Sequence, residues 1–270
     1  MSSNAEECFY FGSNFKMHKT LGEVRTFVQS LKAAYENQAN LQLFIIPPFT
    51  SLGGLQDIAR PRNLWIGAQN MHWASSGAFT GEISAPMLRD LGVDLVMLGH
   101  AERRHKFGET DSEINRKVQS AIKYHLRVLL CVGETARQRE AGITDEILSM
   151  QLKVALLNFP DDQVDQLTVA YEPVWAIGEG SQEAAPSDIA PRIEHIRRTL
   201  SARFADHTRR IPVLYGGSVT ESNCGDYVRE TDVDGLFVGR AAWQPEGFMR
   251  VLQAAIAPWR RENSADIVTP

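Results

Sequence analysis

The chain has 270 residues, 43% hydrophobic and 23% charged, an ordinary balance for one globular unit with a full core. Its 28 Lys and Arg against 33 Asp and Glu leave a net charge of −5, which argues against a general nucleic-acid or anionic-membrane binder but leaves room for a local basic pocket. Cys8, Cys131 and Cys224 are too few and too scattered for a disulfide scaffold or a zinc site, a usage that fits a reducing cytoplasm. The opening MSSNAEECFYFG lacks a basic stretch followed by an apolar one, so no signal peptide is expected, and no apolar run is long enough for a membrane span.

The chain begins with the apolar run CFYFG at Cys8, followed by a helix over Leu21–Tyr35. In that helix Val24, Phe27, Val28, Leu31 and Tyr35 recur at helical spacing and turn one face inward. LQLFII from Leu41, LWIGA from Leu64 and DLVML from Asp94 are next, each too short for a helix and apolar enough for a strand buried on both faces. An amphipathic segment at 114–124 leads to RVLLCV from Arg127, and another at 147–159 leads to LTVAY from Leu167. A third at 189–204, with Pro186 at its start, precedes IPVLY from Ile211, and GLFVG from Gly235 closes the series. Thr20 with Glu23, Thr110 with Glu113 and Thr135 with Gln138 have the spacing of capping boxes.

Strands alternating with helices, without a break in composition, define parallel βαβ units. Right-handed crossovers allow either a doubly wound open sheet or a closed barrel. No GxGxxG follows the first strand, and eight nearly regular units favour a single (β/α)8 barrel over 1–260. The remaining 261–270 have little apolar periodicity and are expected to form a loose tail.

In such a barrel the residues just past the strand ends form the active face. Those residues are Asn14 and Lys16, Gln69 and Asn70, His100 and Glu102, Glu134, Glu172, Gly216 to Ser218, and Gly239 with Arg240. No HExxH, no CxxC and no carboxylate cluster at metal spacing is present, so a reaction without metal or cofactor is expected. Each residue alone has an ordinary structural explanation: a hydrogen-bonded histidine, a glutamate at a turn, a solvent-facing lysine. Together they suit proton transfer beside a carbonyl, which needs a carboxylate base, an electrophile on the carbonyl oxygen and a fixed positive charge. Glu172, His100 and Lys16 are those three groups, and the glycine-rich turn at Gly216–Ser218 suits an anionic substrate.

The blocks NFKM (14–17), GAFTGE (77–82), GHAERR (99–104), CVGE (131–134), AYEPVWAIGEG (170–180) and YGGSV (215–219) resemble the triosephosphate isomerase family, in the family's order. The resemblance implies a TIM barrel in which Glu172 is the base, His100 a neutral electrophile and Lys16 the positive charge. It further implies that 173–181 is a lid that excludes water. Backbone groups near Gly178, Ser218, Gly239 and Arg240 would hold the phosphate, while Asn14 and Glu102 would position Lys16 and His100. GAFTGE resembles an interdigitating loop that carries Thr80 toward the partner's Asn14 and Lys16, which implies a homodimer.

Departures from the family cluster at the site. Ala101 replaces a serine, Phe15 a tryptophan and His18 an asparagine; the far end of the lid reads Glu179-Gly180-Ser181; and Arg240 stands where a second glycine is usual. A guanidinium there is suited to clasp phosphate or the hydroxyls of a longer sugar, or else to pair with a surface carboxylate. NMHW (70–73) together with GLFVGRAAW resembles a branch of the family in erythritol catabolism, the erythrulose phosphate isomerases. The leading expectation, as the commonest activity of the family it resembles, is interconversion of dihydroxyacetone phosphate and glyceraldehyde 3-phosphate. A four-carbon ketose phosphate isomerase with the same residues is the alternative, and a non-catalytic phosphosugar-binding barrel belongs to a second class.

Overall fold

The computed structural model describes residues 8–35, 40–178 and 182–265. Eight parallel strands form one closed barrel in sequence order, β1 (Phe9–Asn14), β2 (Leu41–Ile46), β3 (Leu64–Ala68), β4 (Leu95–Leu98), β5 (Arg127–Val132), β6 (Leu167–Tyr171), β7 (Val213–Tyr215) and β8 (Gly235–Val238). Closure is made where β1 pairs with β8 as well as with β2. Around the barrel lie α1 (Leu21–Tyr35), α2 (Phe49–Leu52), α3 (Ala85–Asp90), α4 (Ala101–Lys106), α5 (Asp111–Lys123), α6 (Ala136–Glu140), α7 (Thr144–Ala155), α8 (Pro186–Phe204), α9 (Cys224–Glu230) and α10 (Pro245–Ala265). This is the TIM barrel that the alternation predicts.

Strand geometry explains why the strands read as unbroken apolar runs. Alternate residues point to opposite faces, and here both faces are buried. Phe44, Ile46, Leu95, Met97, Leu129, Cys131, Ala170, Leu214 and Phe237 fill the barrel interior. Their neighbours Leu43, Ile45, Val96, Val128, Leu130, Val169, Val213 and Leu236 join the layer beneath the helices. Phe11 meets Phe248 of α10 edge-on at 4.8 Å, and Phe15 meets Phe27 of α1 at 4.9 Å. The same period of two sets the rim: Gln69, Gly133, Glu172, Gly216 and Gly239 each lie on the inward parity just past their strands, and Asn14 ends β1 on it.

Two capping boxes are complete. Thr110 and Glu113 open α5, and Thr135 and Gln138 open α6, each pair bonding reciprocally through side chain and backbone. At α1, Glu23 accepts from the Thr20 N–H at 2.7 Å and from its hydroxyl at 2.8 Å. Pro186 opens α8. The C-terminal boundary differs from the expectation: α10 runs to Ala265, so the first part of the expected tail at 261–270 is helical. No helix among the described residues is long and apolar enough to cross a membrane.

Candidate active site

Lys16 sits in the turn after β1, which closes by a bond from the His18 N–H to the Phe15 carbonyl at 3.1 Å. Its φ of 51° lies in the left-handed region, which a residue with a Cβ enters at a cost and keeps only when its surroundings hold it there. The holding groups are Asn14 and Gln69. The Asn14 Oδ1 accepts from the Lys16 N–H at 2.8 Å, while the Gln69 Nε2 donates to the Lys16 carbonyl at 2.6 Å and to Asn14 Oδ1 at 3.2 Å. The Lys16 ammonium then reaches Glu102 Oε1 at 3.1 Å.

His100 follows β4 and caps α4. Gly99, with φ 75°, turns the chain so that the imidazole faces the rim. The His100 Nδ1 accepts the Glu102 backbone N–H at 3.2 Å, which requires a lone pair at Nδ1 and leaves the ring proton on Nε2. The ring is thus a neutral donor whose Nε2 lies 3.7 Å from Glu172 Oε1. Partial burial pushes the Glu102 carboxyl up, but Lys16 beside it, together with the other basic groups around it, outweighs this and holds it below its ordinary value.

Glu172 follows β6, with its N–H bonded to the Val132 carbonyl at 2.8 Å. Two glycines make its place. A Cβ at Gly133 would come within 2.0 Å of the Glu172 carbonyl oxygen, and one at Gly216 within 3.0 Å of its Cγ. The carboxylate is buried, and its Oε2 has no hydrogen-bond partner among the described residues. A buried oxygen in that state is costly to keep without a partner. Burial and this neighbouring carboxylate push the Cys131 thiol well above its usual pKa, so Cys131 stays a protonated neighbour of Glu172. Lys16, Glu102, His100 and Glu172 therefore form one continuous line of groups able to accept a proton, polarise an oxygen and fix a negative charge.

The turns after the neighbouring strands β7 and β8 complete the rim. Ser218 Oγ donates to the Ala176 carbonyl at 2.9 Å, tying the β7 turn to the segment after Glu172. Gly239 leads into a single helical turn, Arg240–Ala242, at whose start Arg240 is exposed with a negative φ, so its side chain is carried without backbone strain. Gly178, at the end of the described segment that follows Glu172, has φ 105°. Of the expected lid, residues through Gly178 are described; Glu179, Gly180 and Ser181 lie outside the described residues. Glu134 anchors the near end of that segment, accepting from the Trp175 indole at 2.7 Å and from the Tyr171 hydroxyl at 3.1 Å. Arg139 stacks on the Trp175 ring at 3.9 Å.

Some strand-end residues have other work. Asn70 accepts from Lys117 at 3.0 Å, and Lys117 also pairs with Glu109, both nearly fully buried beneath α4 and α5. Gln69 has a clear part in holding Lys16 that its residue type did not announce, although its inward parity after β3 was readable. Ala101 is buried directly after His100 and offers Glu172 no hydroxyl.

The barrel and this rim define a (β/α)8 barrel with an acid–base site at the ends of its strands. The family model for triosephosphate isomerase matches residues 9–255. The chain is 43% identical to an L-erythrulose-1-phosphate isomerase of Rhizobium rhizogenes, over 94% of this chain and 97% of that protein. It is 42% identical to one of Brucella abortus, over 90% and 95%. To a triosephosphate isomerase of Chloroflexus aurantiacus it is 40% identical, over 88% and 96%. The chain belongs to the triosephosphate isomerase family.

Proposed function

We propose that the chain moves a proton between adjacent carbons of a small phosphorylated ketose through an enediolate. Glu172 is the base, His100 donates from Nε2 to the carbonyl oxygen, and Lys16 stabilises the negative charge. Glu102 and Asn14 orient these groups, and Gly178, Ser218, Gly239 and Arg240 hold the phosphate end. The observation that carries the reading is the buried Glu172 carboxylate, with Oε1 3.7 Å from His100 Nε2 and Oε2 lacking a partner among the described residues. A base so placed needs only a substrate C–H to complete it.

The substrate is a three- or four-carbon ketose phosphate. The triose reading rests on the commonest activity of the family. The relatives named for L-erythrulose 1-phosphate, together with Arg240 at the phosphate turn, support the four-carbon reading at least as well. Measuring kcat/KM for dihydroxyacetone phosphate and L-erythrulose 1-phosphate separates them, and a dominant triose value retires the four-carbon reading. Solvent deuterium should enter the substrate with the parent protein and fall at least a thousandfold in Glu172→Gln; unchanged exchange would sink the assignment of the base. Tight phosphosugar binding without turnover would instead favour the non-catalytic barrel.

The chain acts as a homodimer in this reading. The segment 75–82 projects with Thr80 exposed and Phe79 44% exposed, and Met17, next to Lys16, is 94% exposed. A second copy seated there would cover apolar surface beside the site.

A further inference from the structure

The turn that carries Lys16 is gripped from two sides. Gln69 holds it from β3, through the Lys16 carbonyl and Asn14 Oδ1. Trp243 holds it from the opposite side, donating its indole N–H to the Asn14 carbonyl at 2.9 Å. Trp243 directly follows the helical turn Arg240–Ala242, so it sits just beyond Gly239 and Arg240. Its ring packs on His18 at 4.4 Å, and His18 closes the Lys16 turn.

β1 and β8 pair from Tyr10 with Gly235 to Ser13 with Val238, where their register ends. The Trp243 bond to Asn14 spans the next step, where the two rim turns part. Those two turns carry different parts of the chemistry: the β8 turn holds the phosphate end and the β1 turn holds the ammonium. Indole is a donor only, so the bond has one direction, and the Asn14 it reaches is 4% exposed. Asn14 in turn holds the Lys16 N–H through its Oδ1, so a fixed donor on the Asn14 carbonyl helps set where the left-handed Lys16 turn stands.

We infer that Trp243 is a positioning residue, whose indole N–H sets the Lys16 ammonium relative to the phosphate-holding turn. The inference rests on the proposed isomerase reading. It makes the "AAW" that follows Arg240 part of the alignment of the site.

The test compares Trp243→Phe, which keeps a ring against His18 but lacks the N–H, with His18→Ala, which removes the stack and keeps the bond. Two probes separate the ends of the site: inorganic phosphate reports on the phosphate turn alone, and 2-phosphoglycolate adds a carboxylate in place of the enediolate. In Trp243→Phe, kcat and phosphoglycolate affinity should each fall about tenfold, as expected of a misplacement of roughly half an ångström. Phosphate affinity should hold, the unsatisfied Asn14 carbonyl should lower the melting temperature by only about a few degrees, and His18→Ala should keep kcat within about threefold of the parent. Parent-like kcat and phosphoglycolate affinity in Trp243→Phe would overturn the inference. So would equal weakening of both probes, which marks a merely structural residue. If Trp243→Phe does not fold, benzothienylalanine at position 243 keeps the indole shape without the N–H and is read by the same measures. Failure of the isomerase reading shows separately, as a parent protein with no turnover of either ketose phosphate.

Discussion

Replacing Gly216 by alanine tests whether the place of the Glu172 carboxylate, rather than its presence alone, controls turnover. The backbone at Gly216 is not left-handed, so alanine suits it conformationally and the effect is steric. The added Cβ would stand 3.0 Å from Glu172 Cγ, 3.3 Å from Glu172 Oε1 and 3.3 Å from the Phe237 carbonyl oxygen. Carbon atoms rest at about 3.5–4.0 Å, so the crowding toward Cγ is roughly half an ångström. The Phe237 oxygen belongs to β8 backbone and does not yield, so the Glu172 side chain moves instead. A misplacement of about 1 Å costs on the order of a hundredfold in rate, so half of that predicts about a tenfold loss of kcat. Overpacking costs about 1–3 kcal/mol, a fall of a few degrees in melting temperature, and the variant remains folded at 25 °C. A coupled isomerase assay with thermal melting measures both. A kcat within twofold of the parent, or a loss carried by KM alone, would refute the reasoning.

Thr110→Ala removes the hydroxyl half of the α5 capping box and should lower stability by about 1 kcal/mol in urea unfolding, with kcat unchanged. Lys117→Met leaves the buried Glu109 carboxylate with Arg103, 3.7 Å away, as its one ion-pair partner among the described residues, and should cost about 3–5 kcal/mol; adding Glu109→Gln should restore most of it. Glu102 has a lowered pKa in the folded chain, so its contribution to stability is present above the ordinary carboxylate range and is lost as pH falls through the folded value. Glu102→Gln should therefore flatten that part of the acid limb in melting temperatures taken from pH 7 downward.

The strands were legible because each is buried on both faces, so short continuous apolar runs mark them. Their edges were less so. Asp94, expected to start the fourth strand, stands just before it: its backbone still donates to the Ile66 carbonyl at 2.9 Å and accepts from the Arg127 N–H at 3.1 Å, while its side chain accepts the Ile66 N–H at 2.7 Å and pairs with Arg60 at 2.8 Å. Pro212 stands before β7 yet still accepts from the Val169 N–H at 2.9 Å, since proline lacks a donor but keeps its carbonyl. Short helices such as α3, α4 and α9 have too few turns for a hydrophobic period to show. The last helix runs past its expected end, to Ala265.

By itself the sequence favoured the barrel through its eightfold alternation and settled on it through the family blocks, and it held the chemical inventory of the rim, because residues just past strand ends are the ones a parallel barrel presents. It also held the family blocks that make Lys16, His100 and Glu172 stand out. Their meeting was decided only by closure: β1, β4 and β6 are not neighbours in the sheet, and their ends share a site because the ring turns them toward one axis. Tertiary contacts likewise decided that Gln69 and Trp243 would grip the Lys16 turn and that Gly216 would make room for Glu172. Such roles depend on distances between residues far apart in the chain, and no local pattern of residue types carries that information.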